Sequence, residues 1–458
     1  MCRNIFLKLK IKYLVIFTTL LILVALYHVL SSIYPAKNSL NKQDEEVTIP
    51  TLLWWTPFTG EDGIVKKCNV GNLEASCYFT NNRNIRLNAG TKVALLFYGS
   101  SFAAWDLPEV TIGKKPLWAL LHEESPRNSA LLQHKDALSL FNFSATFSRH
   151  SSFPLTLQHL TSLEDLVGNE FFVSWKAKTE YQQKLGLAPV VFIQSDCDTS
   201  TDRDTYVKEL MKFIKVDSYG ACLQNKKLPE SIRDPMLALH SAEFWKFQAR
   251  YKFSIAIENA ECPDYLTEKL WRPLIIGSIP IYYGSISFQD WMPFDKTAIS
   301  VRDFDTPETL AKFIAMLDSD EEKYMGYLEH KKRGIEEIEN KNLVRVMKER
   351  TWSVGNRLFN NFDAKTLVEE FECFVCQKLH QNLEVDWHVV NVKHCECPPP
   401  VSPLEKREMN ESFWYDQWHQ GKFEAQLLRE LVESGERLSQ EEFYEIVGER
   451  KYKAFKNI

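Results

Sequence analysis

Residues 253–284, FSIAIENAECPDYLTEKLWRPLIIGSIPIYYG, hold the densest set of chemically capable side chains in the chain. A short apolar run (253–257) leads into a polar turn with Glu258, Asn259, Cys262, Pro263 and Asp264. Helical spacing then runs over 265–276, and a second apolar run (279–283) ends at Gly284. Strand, loop, helix, strand is the βαβ unit of a parallel sheet. In such sheets ligands sit beyond the carboxyl ends of the strands, where helix amino termini offer unpaired N–H groups and positive partial charge to phosphate. Asn259, Tyr265, Glu268 and Lys269 therefore crowd one phosphate-sized space, and Lys269 adds a full positive charge. An ordinary buried βαβ unit would need the apolar residues but not this polar set.

The pattern I-E-N-x-x-x-x-D-Y-x-T-E-K-L followed by P-I-Y-Y-G resembles the donor-binding motif of the alpha-1,3-fucosyltransferases of glycosyltransferase family 10. Those proteins usually read F-E-N-S, D-Y-x-T-E-K and V-P-V-x-x-G. The resemblance covers roughly residues 50–380. FNFSATFSRHSSFPL and VDSYG look closest to the divergent animal members numbered ten and eleven, a protein O-fucosyltransferase-like branch. It implies an inverting enzyme that moves L-fucose from GDP-β-L-fucose, in α linkage, onto secretory-pathway glycoproteins. The acceptor that the resemblance implies is either a Ser or Thr hydroxyl of a cysteine-rich, EMI-type domain or N-acetylglucosamine of a glycan. Where the family has Y-R-x-D-S-D, this chain has Phe147-Ser148-Arg149-His150-Ser151-Ser152, so the choice stays open. A non-catalytic glycan-binding or chaperone-like protein of the same fold is the alternative.

Transfer from a nucleotide sugar needs a base for the acceptor's proton and positive charge for the departing diphosphate. In LHEESPRN, Glu124 precedes Ser125-Pro126 and matches the family's E-S-P carboxylate, the expected base. A proline two residues on keeps it out of a strand interior and at an open loop. Glu123 is its nearest rival, and the bland reading makes both surface carboxylates. The resemblance assigns Arg203, ahead of Y-x-x-E-L, and Lys269 to the diphosphate. An arginine between two Asp at a helix start is otherwise a surface ion pair. By the same resemblance Asn259 and Tyr265 take ribose and phosphate, Glu268 the fucose side in a catalytic role, and Ser195 a further donor contact. Glu258 is read as supporting the loop.

Three D-x-D triplets, Asp196/Asp198, Asp202/Asp204 and Asp303/Asp305, have the form that holds manganese in another class of glycosyltransferases. Lys269 supplies the charge that a divalent ion otherwise would, so the expectation is no required metal and no cofactor besides the donor substrate.

Positioning these residues calls for an α/β fold. The 458 residues leave room for two or three domains, and the net charge of −6 argues against nucleic acid as the main partner. Strands are expected over 52–55, 93–98, 118–122 and 138–143, with helical or irregular chain over 162–187. Beyond that come a strand over 189–194, helices over 202–213 and 241–251, the βαβ unit, a strand over 298–301 and a helix over 307–317. The two blocks imply two Rossmann-like domains facing each other, the GT-B type. Residues 321–350 read as one long charged helix. The tail over 404–453 reads as helical, with a break at Ser434-Gly435.

Residues 13–33 form an apolar stretch long enough to cross a membrane, with Arg3, Lys8, Lys10 and Lys12 before it and Asp44, Glu45 and Glu46 after it. The reading is a single-pass type II membrane protein of the Golgi or endoplasmic reticulum, a cleaved signal peptide being the alternative. The domains expected are a cytosolic tail (1–12), a transmembrane signal anchor (13–33), a stem (34–50) and an acceptor-side domain (51–180). A GDP-fucose-binding domain (181–350), a disulfide-rich return segment (351–400) and a helical extension (401–458) complete the chain. Sequons at Asn142 and Asn410 agree with a lumenal setting.

By the family spacing, Cys68 and Cys77 pair with Cys373 and Cys376, pinning the return segment to the first domain. Cys197 and Cys222 flank one crossing and form a further candidate pair. Cys373, Cys376, His394, Cys395 and Cys397 also resemble a zinc ligand set, the competing reading. Nine cysteines beyond the apolar segment leave one free or paired with another chain, which admits a disulfide-linked oligomer.

Overall fold

The computed structural model of the chain describes residues 47–456 other than 57, 59–61, 69–74, 89, 109–115, 235–237, 240, 353–363, 382–389, 391–392 and 394–396. The apolar runs 93–98, 253–257 and 279–283 become strands buried on both faces, as parallel sheets require. Six strands form the first sheet: β1 (Thr51–Trp54), β2 (Ile64–Lys67), β3 (Ser76–Thr80), β4 (Val93–Tyr98), β5 (Leu117–His122) and β6 (Phe143–Thr146). Their order is β2-β3-β1-β4-β5-β6, all parallel except β2 against β3. That edge strand carries Lys66 and Lys67, and charged side chains on an edge discourage pairing with another chain.

The second sheet is parallel throughout, in the order β11-β10-β9-β7-β8. Its strands are β7 (Val190–Ile193), β8 (Val216–Tyr219), β9 (Phe253–Ile257), β10 (Ile279–Tyr283) and β11 (Ile299–Ser300). The helices Arg203–Leu210 and Pro307–Ser319 cover one face, and Ala242–Gln248 and Glu268–Ile276 the other. The mixed α/β architecture is as expected, with one sheet parallel throughout and the other parallel apart from its edge strand β2.

Crossings in the first sheet are mostly short 3-10 turns and the four-residue helix Lys135–Leu138, too small to bury both of its faces. The cover comes from far along the chain. Helix Ala364–His380 sets Leu367, Val368, Phe371, Val375 and Leu379 on one face. On the other, helix Phe413–Ser434 sets Ala425, Leu427, Leu428 and Leu431, and helix Gln440–Lys456 sets Phe443 and Val447. The extension thus covers one of the first sheet's two faces. Gly435, at φ 76°, ends the longer helix where Ser434-Gly435 was expected to break it.

Three local expectations are corrected, the first being that the tail is helical only from Phe413, since Arg407–Glu408 pairs with Val401–Ser402 as a short antiparallel ladder. Residues 138–142 do not form a strand, which begins only at Phe143. The chain turns there, and Asn142 donates its backbone N–H to Trp118 O (2.8 Å) and accepts from Trp118 N–H on Oδ1 (2.8 Å) before β6 begins. Residues 321–350 are not one helix. They divide into Glu321–Gly326, two 3-10 turns and Lys341–Glu349, because Asn340 caps the last by accepting from Leu343 N–H (3.0 Å) after the Gly334 interruption.

Cys68–Cys373, Cys77–Cys376 and Cys197–Cys222 are bonded as expected. A fourth bridge, Cys262–Cys397, ties the return segment to the loop after β9. The zinc reading is corrected, because Cys373, Cys376 and Cys397 are all spent in disulfides; His394 and Cys395 lie outside the described residues. The apolar stretch 13–33 also lies outside them. Among the described residues no helix is long and apolar enough to cross a membrane.

Candidate active site

The loops after β5, β7 and β9 meet, bringing parts of both sheets together. Glu258, directly after β9, is fully buried and accepts from Thr267 N–H (2.8 Å) and Thr267 Oγ1 (2.7 Å). Thr267 in turn is the N-cap of helix Glu268–Ile276. Glu258 therefore shapes the loop, as its supporting role requires, and burial raises its pKa. Gly284 permits this: a Cβ there would lie 2.6 Å from Glu258 Cγ.

Lys269 emerges beside that carboxylate. Its Nζ lies 3.7 Å from Glu258 Oε2, 3.4 Å from Glu268 Oε1 and 3.3 Å from Thr267 Oγ1. Burial opposes its charge, but Glu268 and Glu258 outweigh burial and hold its pKa above the ordinary lysine range. Glu268 is affected in the opposite sense. Burial would raise it, yet Lys269, His159 and Arg272 keep it well below the usual carboxylate range. His159, from the loop after β6, reaches Glu268 Oε2 with Nδ1 at 3.7 Å.

Arg203 opens the helix after β7 and is completely buried. Its guanidinium donates to Ile257 O (3.4 Å) and to Asp196 O, lies 3.4 Å from Asp196 Oδ2, and leaves Nε without a partner. Burial lowers its pKa against the pull of Asp196, Asp204 and Glu258. Arg203 and Lys269 also act on each other's charge. Lys269 thus stands beside the Glu258 carboxylate, and Arg203 donates to the backbone oxygen of the preceding residue, Ile257, so both cations come to the chain at the end of β9.

Glu124 reaches this place from the first sheet. Half-buried just beyond β5, its carboxylate is pushed up by burial and by Glu268, and pulled down by Lys269. Tyr265, buried between the halves, faces Ser125 and feels Glu124, Glu258 and Glu268. Glu123 turns elsewhere, accepting from Tyr98 Oη at 2.9 Å.

The sequence model of glycosyltransferase family 10 (fucosyltransferase), C-terminal part, matches residues 181–394. GDP-fucose protein O-fucosyltransferase 3 of Rattus norvegicus is 41% identical to this chain, covering 90% of it and 86% of that protein. Its Homo sapiens counterpart is 42% identical over 87% and 82%. The chain belongs to the glycosyltransferase family 10 fucosyltransferases. A solved alpha1,3-fucosyltransferase with GDP-fucose aligns at 13% identity and a TM-score of 0.39, over 75% of this chain and 92% of that one.

Around the cations of this fucosyltransferase, Asn259 keeps its side-chain Oδ1 buried with no protein donor, while its backbone oxygen accepts from Ser200 Oγ (2.7 Å). That orphan acceptor is free for a ligand hydroxyl or N–H. Ser195 is exposed at the end of the strand, beside Gly220. The D-x-D triplets spend carboxylates on protein partners. Asp196 takes Arg127 and Arg203, Asp198 takes Trp414 Nε1 (3.1 Å), and Asp204 takes Asp198 N–H (3.0 Å). Asp202 accepts from Ser402 Oγ (3.2 Å), and Asp305 pairs with Lys406 (3.2 Å).

Sequence reasoning missed Arg127, His159 and the use made of Arg149. Arg149 stands in the loop that departs from the family pattern, and it binds Asp264, the Asp of D-Y-x-T-E-K. Only the LHEESPRN string hinted at Arg127; nothing local marks His159. Of the sequons, Asn142 has its Oδ1 occupied and its Ser144 fully buried in β6. Asn410 is exposed on a turn.

Proposed function

We propose that this fucosyltransferase moves L-fucose from GDP-β-L-fucose, with inversion, onto a Ser or Thr hydroxyl of a folded secretory-pathway protein domain. The carrying observation is that Glu124, on the loop after β5, lies near enough to Glu268 and Lys269 of the second sheet for their charges to act on its carboxylate, with buried Tyr265 facing the neighbouring Ser125. Glu124 Oε takes the hydroxyl proton while the hydroxyl oxygen forms its bond to the anomeric carbon from the face opposite the phosphate. The carbon–phosphate oxygen bond breaks, and the electron pair leaves with GDP. Lys269 and Arg203 neutralise that leaving group, as a divalent ion does elsewhere. Burial supports the base assignment, since a raised carboxylate pKa lies nearer the working pH and takes a proton more readily.

Asn259 and Tyr265 serve the nucleotide and Glu268 the fucose, with Ser195 at the margin. The protein acceptor is supported by the relatives' name and by the changed loop at Arg149. The apolar stretch 13–33 supports a type II anchor of the Golgi or endoplasmic reticulum. The test supplies the full-length protein with GDP-fucose and either a folded EMI-type domain or a glycan ending in N-acetylglucosamine, with and without EDTA. Fucose on the folded domain, undiminished in EDTA, is expected. Transfer to the glycan alone would replace the acceptor, and GDP release with neither would leave no transferase.

A further inference from the structure

Arg127 lies three residues beyond Glu124, on the same loop, and its guanidinium reaches across to Asp196 on the loop after β7. The oxygen it meets, Asp196 Oδ2, is the one that Arg203 approaches at 3.4 Å. Two guanidinium groups from different sheets therefore converge on a single carboxylate oxygen. Their mutual repulsion acts on Arg203. Trp414 of the extension helix holds the arrangement from outside, with the Arg127 guanidinium 5.0 Å above its ring and its Nε1–H on Asp198 Oδ1 (3.1 Å).

The exposures differ in an informative way. Arg203 is wholly buried, Arg127 is 24% exposed, and the Asp196 side chain between them is 43% exposed. A fixed cation, a second cation at the rim and an outward-facing carboxylate make a site where one anion can exchange for another. Paired guanidinium groups match phosphate oxygens as well as carboxylate oxygens.

Resting on the donor reading above, we propose that Arg127 is a further diphosphate-binding residue and that the donor's diphosphate competes with Asp196 for Arg127 and Arg203. Donor binding would then draw the loop that bears Glu124 toward the sugar, coupling nucleotide occupancy to the placement of the base. Trp414 flanks Arg127 in this scheme.

The test measures GDP and guanosine affinity by calorimetry on the full-length protein and its Arg127→Ala, Asp196→Asn and Lys269→Gln variants. Arg127→Ala weakens GDP roughly 10- to 100-fold, the loss of a hydrogen bond between charged groups, and leaves guanosine unchanged. Asp196→Asn tightens GDP, because the competing anion is gone. Unchanged GDP affinity in Arg127→Ala, or equal losses for GDP and guanosine, overturns the assignment; unchanged or weaker GDP in Asp196→Asn overturns the competition. Lys269→Gln separates the two levels of argument. If it weakens GDP while Arg127→Ala does not, this inference alone fails; if neither does, the donor reading fails with it.

Discussion

Arg149 clasps Asp264 with its backbone N–H (2.9 Å), Nε (2.9 Å) and Nη2 (2.5 Å), joining the loop after β6 to the loop after β9. Asp264 is nearly fully buried and also accepts from Ser287 Oγ (2.8 Å) and Trp291 Nε1 (3.0 Å). A residue of the loop after β6, in the first sheet, thereby completes the hydrogen bonding of the loop after β9, in the second.

Removing the arginine would leave a buried carboxylate short of its countercharge. Arg149→Ala should cost about 3 kcal/mol in urea unfolding. Burial raises the Asp264 pKa, but its bonds to Arg149 and Trp291 more than offset that and hold it low. A depressed carboxylate stabilises the fold above its unfolded pKa, about 3.9, and loses that stabilisation as pH falls through the folded value. The gap between wild type and variant should therefore be full at neutral pH and close in strong acid. A gap that stays constant with pH would assign the effect to packing.

Glu124→Gln should lower kcat by about 10²- to 10⁴-fold while GDP affinity stays at the wild-type value. In the wild type, burial and Glu268 raise the Glu124 pKa, so the acid limb of kcat/KM should lie above the range of an ordinary glutamate. That limb should be absent from the residual activity of the variant. Undiminished transfer would remove Glu124 from the mechanism.

Lys269→Gln takes away the cation beside Glu258 and Glu268. A loss of about 10²- to 10³-fold in kcat is expected, as for other groups that stabilise developing negative charge. Since Lys269 also lowers the Glu124 pKa, the acid limb should move further up in the variant. Steady-state rates over a pH series measure both effects.

Cys262–Cys397 encloses a long stretch of chain, and it anchors the segment leading into the extension. Replacing both cysteines by serine should cost about 2–5 kcal/mol of stability. Thermal unfolding with and without reductant checks this: the wild type should lose stability on reduction, and the variant less.

Much of the candidate site is written locally in the sequence. Strand, cap and helix residues from Phe253 to Tyr283 are near neighbours, so the buried Glu258, its bonds to Thr267 and the emergence of Lys269 follow from short-range spacing. The same holds for the placing of Glu124 at an open loop by its proline, whereas the pairing of Cys68 and Cys77 with Cys373 and Cys376 was implied by the resemblance to the family and not by local spacing. The tertiary structure alone decided that Arg127 and Arg203 share Asp196, that Arg149 belongs to Asp264, and that Cys397 finds Cys262. It alone decided that the last helices complete the first sheet's core. The physical reason is range. Hydrophobic periodicity and capping report on a few residues at a time, whereas these contacts are set by which loops two packed sheets bring to the same edge, far apart along the chain.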